Sequence, residues 1–268
     1  MSFSLQPDDR QRSTTTMPET PTMAETQVEF ELPPNNYWQA SARPLTSLVF
    51  VLPMLAFYET GILWLGPEAI RNGVDVWLRQ FLTLMGFGQY FLLPALTVAI
   101  LLAWHYLMRY PWQFKPTNLP LMAAESMVLG LLLLCLAHFQ ASVMKMEVVA
   151  ASTTGHVDTT TRHVIAYFGA GIYEELLFRL MLIPALIVFI QGFAFPKIAA
   201  TFAAMMISSL IFAAAHYNFF VAGGDSIDGY TFLFRLSAGL IFASIFALRG
   251  FGIAAGSHAM YDVLVAFS

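Results

Sequence analysis

From Leu45 onward the chain is a succession of apolar runs, each close to the length that crosses a bilayer. A hydrocarbon core takes about 20 helical residues to span. Inside it, each backbone amide must find its partner within its own segment. On that ruler the candidate spans are 45–65, about 84–108, 119–139, about 163–190, 198–216, about 231–248 and about 252–267. The second contains Pro94. The fourth contains Pro184, where it can bend or divide into a span and an interfacial piece. The expected fold is an all-α polytopic transmembrane helix bundle of about seven spans (six to eight).

Composition agrees with that reading. Of the 268 residues 57% are hydrophobic and 11% charged, against about 45–50% and about 25% in soluble domains. The net charge of −4 argues against a nucleic-acid partner, which usually leaves a basic patch. A single cysteine, Cys135, leaves no disulfide framework and no paired-cysteine metal or redox motif.

The chain divides into three regions. Residues 1–40, rich in Thr, Pro, Glu, Gln and Ser, cannot bury enough apolar surface to offset their ordering entropy and read as a disordered tail. They lack the apolar core of a secretory signal, so the first span is expected to direct insertion. Residues 41–160 read as three accessory spans, with a mixed-polarity segment at 66–80 placed along the interface. Residues 161–268 carry the chemistry. The loop at 217–229 has no basic residue and holds Asp225 and Asp228, which tilts the amino terminus toward the cytoplasm. The expected location is the plasma membrane of a bacterium.

Charged groups at bilayer depth cost roughly 2.5–3.5 kcal/mol each, so those within the spans need a reason. Glu59 and Glu125 stand alone in their spans and read as carboxyls bonded between helices. His105 and His138 lie near span ends, and Arg235 near the start of span six, where such side chains reach the interface. Three groups in the last four spans instead recur at helical spacing. In GIYEELLFRLMLIPAL (171–186), Glu175 and Arg179 are four apart with the acid first, the favourable order for a pair on one face. Glu174 is rotated by about 100° from its neighbour and is left without that partner. Phe212 and His216 share a second face. His258 and Asp262 share a third, on a helix rich in Gly, Ala and Ser that lets neighbours approach closely.

EExxxR, then FxxxH, then Hxxx(N/D), on successive spans, resembles the CAAX-processing and bacteriocin-processing (Abi) family of intramembrane proteases, over about residues 163–268. The resemblance implies a water-activating glutamate at Glu174, a histidine sharing that water at His216, and an oxyanion-stabilising pair at His258 and Asp262. Glu175, Arg179 and Phe212 are expected to support them. Family members that process CAAX proteins carry Asn in the last position. An amide donates to an oxyanion and an ionised carboxylate does not, so Asp262 is expected either to be protonated or to keep His258 cationic. The implied reaction is hydrolysis of a peptide bond in a membrane-associated protein or peptide, with no cofactor. Two alternatives stand beside it. One is a zinc protease using Glu174, His216, His258 and Asp262 as ligands, although no HExxH is present. The other is a non-catalytic membrane scaffold or transporter.

Overall fold

The computed structural model describes residues 36–144, 157–218 and 224–268. The expected tail up to residue 35 lies outside the described residues. The described chain is built of helices and their connecting turns, apart from an isolated bridge between Tyr217 and Asp225.

A short helix, α1 (Tyr37–Ala42), starts inside the expected tail boundary. It leads into α2 (Pro44–Leu65), where Pro44 opens the first turn with no amide to leave unbonded. Gly66, at φ 57°, ends α2 in the left-handed region that favours glycine. The mixed-polarity segment becomes α3 (Gly73–Leu84), capped by Asn72, whose side chain accepts from the Val74 amide. α3 does not simply lie on the interface: Val74 and Asp75 are buried against the bundle.

The second expected span is shorter than its apolar run. Residues 85–91 turn through Gly86 at φ 89°, and α4 (Leu92–Leu107) begins only there, with Pro94 in its first turn. α5 (Asn118–Val143), α8 (Lys197–Ala214), α9 (Gly229–Arg249) and α10 (Phe251–Ala266) match the expected runs closely.

The fourth run is one helical ribbon with a changed pitch. α6 (Val157–Glu175) passes into a π-helical segment (Leu176–Leu182) and then α7 (Ile183–Gln191). Pro184 supplies no amide to the ladder, so the preceding turn widens instead of kinking sharply. The Ser208 hydroxyl, from α8, donates to the Phe178 carbonyl at 2.6 Å within that turn.

Among the described residues α2, α5, α8 and α9 are long and apolar enough to cross a membrane, and α4 is a shorter apolar helix. The chain is an integral membrane protein. α10 is the hub, packed against α2, α5, α6 and α9. Its small residues make this possible. A Cβ on Gly256 would stand 2.4 Å from the Ser126 hydroxyl of α5, and one on Gly171 of α6 would stand 2.6 Å from the Ala255 carbonyl. That close approach of α6 to α10 sets His258 beside the paired glutamates.

Candidate active site

The structure brings the three sequence motifs together. Glu174 and Glu175 end α6, Arg179 lies in the π-helical segment, His216 comes just after the end of α8, and His258 and Asp262 lie on α10. Glu175 and Arg179 are fully buried and paired, with Nη1 3.0 Å from Oε1. The guanidinium also donates to the Gly239 carbonyl at 3.2 Å and lies 4.3 Å from the centre of the Phe212 ring. Phe212 in turn meets His216 edge-on at 4.9 Å, so it spaces the cation from the imidazole.

The orienting partner of His258 is not the one its spacing suggests. Glu175 Oε1 accepts from His258 Nδ1 at 2.8 Å, while Asp262 stands 3.7 Å from Nε2. Glu175 thus holds both Arg179 and His258. Phe242 stacks on the His258 ring at 4.5 Å. With Nδ1 fixed, Nε2 is directed at Glu174 Oε2, 3.7 Å away.

His216 is fixed in the same manner. Its Nδ1 lies 2.8 Å from the Phe212 carbonyl, which can only accept, so Nδ1 carries the proton. In the neutral ring Nε2 is then a lone-pair acceptor. It faces Glu174 Oε2 at 3.8 Å. Burial pushes His216 below the ordinary imidazole range, opposed by the Glu174 charge and helped by Arg235. Glu174 Oε2 makes no hydrogen bond among the described residues.

Two cavities meet here. One of about 150 Å³ is lined by Asn72, Trp77, Glu174 and His216. The other, of about 460 Å³, is lined by His216, His258, Asp262, Phe234 and Arg235. His216 forms part of both walls.

Asn72 was not legible as a site residue. Its Nδ2 donates to Glu174 Oε1 at 2.7 Å across 102 positions of sequence. The Asn72-Gly73 pair signals a turn, but nothing in it points to a carboxylate so distant. Glu59 and Glu125 are bonded between helices, as their sequence reading expects. Glu59 accepts from Tyr173 at 2.5 Å and Arg79 at 2.9 Å. Glu125 is held by Arg249 at 2.6 and 2.7 Å and by Tyr37 at 2.5 Å. His105 does not reach the interface. It is buried between Tyr110 and Trp112, with neither ring nitrogen hydrogen-bonded among the described residues. Arg235 is paired with Asp225 and lies over Tyr217.

Among the described residues, no set of three His, Cys, Asp or Glu side chains is arranged to hold a metal ion. The zinc alternative would need nitrogens about 2.0–2.1 Å from the metal. Glu174 Oε2 is close to two imidazoles, whose Nδ1 atoms are engaged and whose Nε2 atoms both face it.

Two buried carboxylates, the buried His258 imidazole and the half-buried His216 imidazole converge between apolar helices. Residues 156–264 match the family model described as Type II CAAX prenyl endopeptidase Rce1-like. No curated protein and no solved structure matches the chain.

Proposed function

We propose that the protein is an intramembrane endopeptidase in which Glu174 and His216 activate the attacking water. The observation that carries this reading is the meeting of two acceptors. Glu174 Oε2 and His216 Nε2 face each other at 3.8 Å, and neither can donate to the other while Glu174 is ionised and His216 neutral. A molecule with two protons to give resolves that opposition. Placed between them, a water loses a proton to Glu174 as it attacks a carbonyl, and Glu174 returns that proton to the leaving amine. His258 faces the same point through Nε2 and supplies positive charge to the tetrahedral oxyanion. Asp262, 3.7 Å from that nitrogen, helps to keep the ring cationic. No metal takes part in this scheme.

The substrate is a membrane-associated protein or peptide, entering through the larger cavity. The bacterial plasma membrane, with a cytoplasmic amino terminus, is the proposed location. The test compares membrane peptides of the native cell with those of a Glu174→Gln strain. Fragments formed only with the wild type are expected, and they identify the substrate. Equal fragments in both strains would sink the glutamate mechanism. Inactivation by chelators, reversed by zinc, would move the reading to a metalloprotease.

A further inference from the structure

We infer that Asn72 is a positioning residue for the reaction, holding Glu174 so that one defined oxygen faces the water; this rests on the proposed role of Glu174 as the water-activating base. The two carboxylate oxygens are not equivalent. Oε1 accepts from Asn72 Nδ2 at 2.7 Å. Oε2 is the atom shared by His216 and His258, at 3.8 and 3.7 Å. With Oε1 occupied, rotation of the carboxylate about its last torsion, which is otherwise broad, costs a charge-assisted hydrogen bond.

The orientation of the Asn72 amide is itself fixed. Its Oδ1 accepts from the Val74 amide at 2.9 Å, and a backbone N–H can only donate. Nδ2 is therefore the atom turned toward Glu174, which in its ionised form can only accept. One side chain thus caps α3 and grips the carboxylate.

α3 is a firm mount. Asp75, three residues on, is fully buried and receives Arg71 at 2.9 Å, Arg79 at 2.6 Å and Tyr58 at 2.8 Å. Arg79 continues to Glu59, and Glu59 to Tyr173, the residue before Glu174. The network therefore closes on the catalytic segment from two directions. It reaches the backbone of α6 through Tyr173 and the carboxylate through Asn72. The lone acid of the first span acquires a purpose in this bracing.

The test exploits the double role of the side chain. Asn72→Asp and Asn72→Ser both retain an oxygen that caps α3, and both remove Nδ2. The full chain in detergent is assayed with a quenched peptide bearing a prenylated cysteine in a CAAX sequence, the probe suggested by the name of the matching family. For both variants kcat is expected to fall, about 10–100-fold as for lost partners of catalytic ligands, and more for Asp, whose carboxylate repels Glu174. KM and the melting temperature stay at wild-type values. Wild-type kcat in both variants, with Glu174→Gln inactive, overturns the role of Asn72 alone. A Glu174→Gln enzyme as active as the wild type, or a wild type that leaves the probe uncut, overturns the underlying reading and this inference with it.

Discussion

Two glutamates in one bundle, Glu174 buried and Glu125 half-buried, show how differently a membrane protein can treat the same group. Glu125 is saturated. Both its oxygens are taken by Arg249, Tyr37 adds a third bond, and Arg249 directs two further donors to the Trp38 carbonyl and the Ser41 hydroxyl, at 2.8 and 2.9 Å. The guanidinium also lies 4.0 Å from the centre of the Trp38 ring. Glu174 has one oxygen held and one left facing two imidazoles. The first arrangement ties α1, α5 and α9 together. The second is suited to exchanging protons. The difference teaches that burial of a charge is a weak guide to its purpose, and that the partners left unfilled are the better guide.

Exchanging each acid for its amide should separate the two. Glu174→Gln is expected to lower kcat by about 10²–10⁴-fold, the range for a lost general base, with little change in thermal midpoint, because an amide oxygen still accepts from Asn72. Glu125→Gln should do the reverse. It leaves the Arg249 charge short of its partner and costs about 2–4 kcal/mol of stability, read from denaturant unfolding in detergent, while activity per folded molecule is retained. Comparable loss of both properties in either variant would break the comparison.

Glu175 sits between these extremes, bonded to Arg179 and to His258. Its amide variant should lose roughly 10–100-fold in kcat together with measurable stability. Asp262→Asn is expected to do less, within about tenfold, because the bond that orients His258 comes from Glu175. A loss as deep as that of Glu174→Gln would return the orienting role to Asp262.

The smallest effect is on pH. His216 lies beyond the end of α8, and its imidazole is held below the ordinary range by burial. Protonation of Nε2 removes the acceptor, so cleavage should fall as pH drops through that lowered value. Arg235 contributes to the lowering. Arg235→Gln makes the imidazolium easier to form, and the acid limb of kcat/KM should move upward by a fraction of a pH unit. A limb that moves downward contradicts the assignment of His216 as the acceptor.

Much of the fold was legible because span length is a physical ruler. α2, α5, α8, α9 and α10 fall within a few residues of their apolar runs. The run at 84–108 misled because Leu84 and Phe87 are apolar without being helical neighbours of Leu92; Gly86 turns the chain between them. In the site, pairs within one helix were readable from periodicity, as with Glu175 and Arg179. Contacts between helices were not. The bond from Glu175 to His258, and that from Asn72 to Glu174, depend on how closely α6 approaches α10 and where α3 folds back. The chain encodes these in single glycines and a cap. Glu59 and Glu125 looked solitary for the same reason: their partners lie on other elements.

The π-helical segment sets a limit on how this chain can vary in length. Removing one residue from Leu176–Leu182 would restore the ordinary helical ladder and turn everything downstream by about 100° around the axis. Glu174 and Glu175, upstream, would stay in place. Ile183, which now packs against Ala204 of α8 and Ala243 of α9, would rotate away from them. Apart from Arg179, whose charge is paired with Glu175, substitutions in this stretch can be absorbed one side chain at a time, whereas a single deletion shifts the frame of a whole helix face. In an alignment, the region should therefore tolerate changes of letter far better than changes of length.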